Sequence, residues 1–181
     1  MKQKNLDAGR VIIMAQDEGR FGRISIPRKA WSPNGYRPKS PRQVIRQAFY
    51  VYSAICPKQG KMTCLILPYA NTEMMNIFLQ QVSHDFKNYQ IIMQVDRAGW
   101  HLSKQLIVPD NIYLIQQPSH SPELNPVEHL WEEIREKFLY NKAFDHLDQV
   151  IEVVCKAIKT LNGNPKYITS MTSFPHLNVS L

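Results

Sequence analysis

The chain has 181 residues, 44% hydrophobic and 20% charged, which suits one globular domain and excludes a disordered chain. No apolar run reaches the ~18 residues of a membrane span, the start Met1-Lys2-Gln3-Lys4 has no signal-peptide core, and Cys56, Cys64 and Cys155 form no CxxC pair, so a soluble protein of a reducing compartment is expected, without a disulfide scaffold or cysteine zinc site. The net charge of +7 is concentrated: ten cations and no acid lie between Gly19 and Thr72, against 12 cations and 15 acids elsewhere, which points to a polyanion partner or a solvated basic face.

Arg10 to Gln16 is a short apolar run that reads as a buried strand, with Asp17-Glu18-Gly19 as the turn closing it. Residues 20–43 hold four prolines and the turn signal Asn34-Gly35, so they read as an irregular basic arm. Val44 to Cys56 and Lys61 to Leu67 flank Pro57-Lys58-Gln59-Gly60 and predict a hairpin, with Cys56 and Cys64 facing each other as reduced thiols. Asn71 to Lys87 has helical spacing in Met75, Phe78, Leu79, Val82 and Phe86. Gln90 to Val95 reads as a second buried strand, Trp100 to Ile107 as a short helix and Asn111 to Ile115 as a third strand. A proline-rich loop, 118–126, precedes two amphipathic helices. The first carries Val127, Leu130, Trp131, Ile134 and Phe138 on one face; the second spans about Asp145 to Leu161. From Asn162 no period is evident. The division expected is a domain over 1–161 and a C-terminal tail over 162–181. The order predicts an α/β fold, a mixed sheet with helices on both faces, for which a ribonuclease-H-like layer is one arrangement.

Three acids stand where strands or loops end. Asp17 follows the first strand, Asp96 the strand Gln90–Val95, and Glu128 lies in the first turn of a helix. Ligands collect at the carboxyl ends of strands in open α/β sheets. Three carboxylates in one place repel unless a cation is bound, and hard oxygens favour Mg²⁺ or Mn²⁺. Two such ions can clamp a phosphodiester and activate a water or a 3′-hydroxyl. Each acid also has a local reading: Asp17 as a turn residue, Asp96 as a helix cap, and Glu128 in a capping box with Asn125 at N-cap and Pro126 at N1. Glu18, next to Asp17, points to the other face. His101 is a candidate to contact phosphate, position a water or orient a carboxylate. His120 and His129 flank the third acid as phosphate or supporting contacts. Trp131 fits the apolar stripe.

The segment Ser119-His120-Ser121-Pro122-Glu123-Leu124-Asn125-Pro126-Val127-Glu128-His129-Leu130-Trp131 resembles the third catalytic motif of DDE transposases of the mariner superfamily, particularly its bacterial insertion-sequence branch. Asp96-Arg97-Ala98-Gly99-Trp100-His101 resembles the second motif, with Arg97-Ala98 in place of the usual Asn-Ala. Gln16-Asp17-Glu18-Gly19-Arg20-Phe21-Gly22 resembles the first. The resemblance covers about residues 10–140. It implies a ribonuclease-H-like fold in which Asp17, Asp96 and Glu128 are catalytic and bind a pair of divalent ions, Mg²⁺ or Mn²⁺. From position alone, Glu132, one turn on from Glu128, is a solvated or supporting acid, and Asn125 at the helix start a supporting residue. The resemblance also has consequences beyond the metal site. It implies DNA cleavage at transposon ends and strand transfer of the 3′-hydroxyl into target DNA, by a homodimer on DNA in the bacterial cytoplasm, at the nucleoid. The basic arm then tracks the DNA backbone, with Arg20, Arg23, Arg28, Lys29, Arg37, Lys39, Arg42 and His101 as candidate contacts. The first strand begins about ten residues in, which leaves no room for the helix-turn-helix modules that family members carry. A separate helix-turn-helix protein from an upstream reading frame is the expected partner, unless the chain is a fragment or a decayed copy. The competing readings are another ribonuclease-H-like nuclease and a non-catalytic DNA-binding or assembly remnant.

Overall fold

The computed structural model describes residues 10–36, 38–119 and 121–177. Arg37, His120, the first nine residues and the last four of the expected tail lie outside the described residues. Five strands, β1 (Val11–Ile24), β2 (Val44–Cys56), β3 (Lys61–Leu67), β4 (Gln90–Val95) and β5 (Ile112–Gln116), form one sheet in the order β3-β2-β1-β4-β5. The β1–β2 and β2–β3 pairs are antiparallel; β1–β4 and β4–β5 are parallel. Helices α1 (Thr72–Asp85), α2 (Val127–Ile134), α3 (Leu147–Asn162) and α4 (Pro165–Thr172) complete the fold. It is the expected mixed sheet with helices on both faces.

Strand alternation sorts the side chains between two cores. Ile12 and Met14 of β1, Tyr52 and Ala54 of β2, and Met93 of β4 pack under α1, against Met75, Phe78, Leu79 and Val82. Ala15 and Phe21 of β1 and Val51 and Ile55 of β2 pack under α2, α3 and α4, against Leu130, Trp131, Val154 and Ile168. Asn71 starts α1 by accepting a hydrogen bond from the Met74 N–H at 2.9 Å. A single π-turn over Arg135–Leu139 extends α2.

Four local expectations are corrected. Asp17 does not close a strand: β1 runs on to Ile24, because β2 still pairs with it from Ala15 to Ile24 after β4 has ended. Only a 3-10 turn, Gly99–His101, stands where a helix over Trp100–Ile107 is predicted. Asn76 of α1 takes up the backbone there, accepting from the Ile107 N–H at 2.8 Å and donating to the Gln105 carbonyl at 3.1 Å, so helical bonds are not needed. Cys56 pairs with Lys61 and Cys64 with Ser53, so the two thiols do not face each other and enter opposite cores. Beyond Asn162, where the sequence shows no period, Asn164 caps α4, and Ile168, Thr172 and Leu177 are buried. Eight residues are too short a helix to show a period.

Candidate active site

The parallel register brings the first two acids together. The last β1–β4 pair is Ala15 with Gln94, and two residues further on stand Asp17, still within β1, and Asp96, just past the end of β4. The third acid is brought in by the loop before α2. The buried Asn125 donates from Nδ2 to the Gln16 carbonyl at 2.9 Å and accepts at Oδ1 from the Val127 N–H at 3.1 Å. Gln94 donates from Nε2 to the Leu124 carbonyl at 3.1 Å and to Gln117 Oε1 at 3.0 Å. The start of α2 is thus fastened to β1 and β4. Asp17, Asp96 and Glu128 line one cleft of about 400 Å³, together with Arg97, Gln117, Ser119, Ser121 and Asn125. The capping box is not formed as expected: the Asn125 N–H bonds the Pro122 carbonyl, and the Glu128 carboxylate makes no hydrogen bond among the described residues.

The three acids differ electrostatically. Burial pushes the Asp17 carboxyl up from 3.8 to about 7; a hydrogen bond from Trp131 Nε1 to Oδ2, 2.8 Å, opposes this, while the charges of Glu128 and Glu18 add to it. Asp96 is held below the usual carboxylate range, chiefly by His101, whose Nδ1 lies 2.7 Å from Oδ1; the Ala98 N–H also bonds Oδ1, at 2.8 Å. Burial works against a charge on His101, but Asp96 and Glu18 together raise its pKa to about 9.

The remaining candidates scatter. His101 does not face DNA: its side chain is fully buried, with both ring nitrogens turned to carboxylates, so of its three expected roles only orienting a carboxylate survives. Asp96 caps its turn through Ala98 and still lines the cleft. Glu132 is exposed one turn beyond Glu128 and does not line the cleft. His129 is exposed and bonds the Met171 carbonyl through Nδ1 at 2.9 Å. In the arm, Arg23 is tied to the Phe144 carbonyl and to Gln47, and Arg28 lies over the Tyr140 ring with its centroid 4.7 Å away. Arg20, Lys29, Lys39 and Arg42 are exposed. Arg20 and Arg23 also line a groove of about 240 Å³ with Arg135 and Lys142.

Sequence reasoning missed two contributors. Glu18 is buried on the α1 side, where it accepts from His101, Trp100 and Gln16. An acid on the apolar face of a buried strand needs a partner, and that need is the signal in the sequence. Trp131 is core, as expected, and it also donates to Asp17; an indole N–H buried so completely requires an acceptor.

The donor set suits a hard divalent cation in kind and in charge. It consists of carboxylates, and Asp17 carries a repulsion from Glu128 that a cation would relieve. Among the described residues, no three acid, histidine or cysteine side chains stand close enough as they are to enclose one ion.

Known proteins are similar to this chain. A protein of Sinorhizobium fredii (strain NBRC 101917 / NGR234), y4pE/y4sA, itself uncharacterized, is 38% identical over 123 residues, which is 67% of this chain and 91% of that protein. The fold is similar to that of Mos1 transposase in a paired-end complex with the left transposon end, with TM-score 0.60 and 16% identity over 90% of this chain and 56% of that one. It is likewise similar to the Mos1 mariner paired-end complex with Mn, with TM-score 0.61 and 16% identity over 92% and 57% of the two chains. The chain therefore spans little more than half the length of these solved relatives, and the shared part is a ribonuclease-H-like fold. Residues 13–151, which include all three cleft acids and the strands and loop that hold them, match the model of the DDE superfamily endonucleases, and the chain belongs to that family.

Proposed function

We propose that this chain is the catalytic domain of a transposase, cutting DNA at transposon ends and transferring the freed 3′-hydroxyl into target DNA. The observation that carries this reading is the convergence of Asp17, Asp96 and Glu128, from β1, the end of β4 and α2, on one cleft. In this reading those three side chains hold Mg²⁺ or Mn²⁺, two ions by analogy with other phosphodiester-cutting sites. Bound there, the metal supplies Lewis-acid stabilisation of the phosphate and an activated oxygen nucleophile. Trp131 fixes one oxygen of Asp17, and Asn125 fixes the helix start that carries Glu128. Neither offers a nucleophile, and the reading needs no covalent protein–DNA link. The exposed cations Arg20, Lys29, Lys39 and Arg42, with the Arg135–Lys142 groove, supply backbone contacts to DNA. A homodimer, with end recognition supplied by a separate helix-turn-helix protein, completes the proposed assembly, and DNA places it at the bacterial nucleoid. No helix among the described residues is long and apolar enough to cross a membrane.

The test is a cleavage-and-joining assay. Labelled DNA carrying the element's ends is incubated with the protein, the recognition module and Mg²⁺, beside Asp96→Asn. Nicked and joined products from the wild type and none from the variant support the reading. Nicks that are never joined would leave a nuclease of the same fold. DNA binding without cleavage, equal in both proteins, would leave a non-catalytic DNA-binding module.

A further inference from the structure

Behind the cleft lies a buried chain of charge. Glu18 Oε1 is 3.1 Å from His101 Nε2, and His101 Nδ1 is 2.7 Å from Asp96 Oδ1. The side chains of His101 and Glu18 are 0% and 4% exposed, whereas that of Asp96 is 38% exposed and reaches the cleft. Both ring nitrogens face carboxylate oxygens, so the geometry is that of an imidazolium donating at each end. Glu18 is itself fixed by donors from Gln16 Nε2 at 2.9 Å and Trp100 Nε1 at 3.3 Å. On Asp96, His101 and the Ala98 N–H both engage Oδ1; Oδ2 has no hydrogen bond among the described residues.

We infer that Glu18 and His101 are positioning residues, which lock Oδ1 of Asp96 and so present Oδ2 to a divalent cation in the cleft. The inference rests on the proposed metal role of Asp96. A partner that holds a ligating carboxylate from behind sets both its direction and its basicity. Glu18 supplies the buried counter-charge that lets His101 donate to Asp96 without leaving a lone charge in the core. The two residues come from β1 and from the turn after β4, so the chain also joins β1 to the end of β4, the two places that supply Asp17 and Asp96 to the cleft.

Side-chain geometry gives a discriminating test. An asparagine amide reproduces the reach of Nδ1, toward Asp96, and a glutamine amide that of Nε2, toward Glu18. Mn²⁺ binding is measured by calorimetry on the wild type, His101→Ala, His101→Asn, His101→Gln, Glu18→Gln and Asp96→Asn, with thermal melts to establish folding. The expected result is a loss of affinity of roughly 10–100-fold in His101→Ala. Recovery is expected in His101→Asn and not in His101→Gln, with Glu18→Gln between wild type and His101→Ala. A folded His101→Ala that binds as the wild type does, or a glutamine that rescues as well as asparagine, overturns the inference. If the His101 variants do not fold, Glu18→Gln decides it, and a folded Glu18→Gln with wild-type affinity overturns it. Wild type that binds no Mn²⁺, alone or with a short duplex, overturns both this inference and the proposed function beneath it. Binding in the wild type that is lost in Asp96→Asn yet kept in His101→Ala overturns the inference alone.

Discussion

Replacing Asp17 by asparagine should stabilise this protein at alkaline pH and not at acid pH. The carboxyl titrates at about 7 in the folded chain against 3.8 ordinarily, chiefly because it is buried. Below 3.8 it is protonated whether the chain is folded or not. As pH rises from there to about 7, the unfolded chain releases its proton and the folded chain keeps it, so stability falls. Above about 7 the loss is complete, and it amounts to at most about 4 kcal/mol. An asparagine keeps an acceptor for the Trp131 N–H and removes the charge. The variant should therefore gain about 2–4 kcal/mol over wild type near pH 8, or roughly 5–15 °C in melting temperature, and almost nothing near pH 4. Thermal melts of both proteins across this range, without divalent ions, provide the measurement. Titration of the groups that do not interact with Asp17 is common to both and cancels in the difference. Added Mn²⁺ at about 100 times its dissociation constant should raise the wild type by about 2.7 kcal/mol and the variant by much less. A variant no more stable than wild type near pH 8 would refute the claim that Asp17 is a buried charge awaiting a cation.

Gly19→Ala would place a Cβ 2.7 Å from Phe21 Cε2 and 2.8 Å from Trp131 Cδ2; a loss of about 1–3 kcal/mol in urea melts is expected, with Mn²⁺ affinity falling as Trp131 shifts off Asp17. Asn125→Ala removes the buried bond to the Gln16 carbonyl and should cost about 1–3 kcal/mol by the same measure, uncoupling α2 from β1. His101 contributes stability that is fully present below 6.5 and lost as pH rises through about 9, so its ring signals by NMR should remain those of an imidazolium at neutral pH, with a midpoint near 9. Replacing the exposed Lys29, Lys39 and Arg42 together by alanine should weaken duplex binding and flatten its salt dependence, by about 0.9 in log–log slope for each phosphate no longer neutralised.

What could be read from the sequence, and what could not, divides by the range of the interaction. The limits of β2, β3 and β4 follow from runs of apolar and β-branched residues between turn signals, and the structure has the same limits. Two of the errors occur where a distant element decides. Whether β1 stops at Asp17 depends on β2 continuing beside it, and whether Trp100–Ile107 coils depends on Asn76 of α1. The Glu18–His101 contact joins residues 83 positions apart, and the Trp131–Asp17 contact joins residues 114 apart. No local pattern encodes such pairs, although each buried polar group announces that some partner exists.

At Asp96 the local and the functional reading are not rivals, and the reason is the geometry of a carboxylate. Asp96 caps the Ala98 N–H and accepts from His101, but both bonds fall on Oδ1, so the other oxygen remains for the cleft. Asn125 behaves alike: its carbonyl oxygen secures the Val127 N–H at the helix start, while its amide reaches across to the Gln16 carbonyl of β1. Each side chain commits one polar atom to the backbone around it and keeps the other for a long-range contact. A turn that is already capped costs no further ordering when a ligand arrives. Residues that satisfy local structure with half their polar atoms are therefore the ones suited to hold a rigid site with the rest, and a capping motif at a strand end or helix start is a reason to look for a site there.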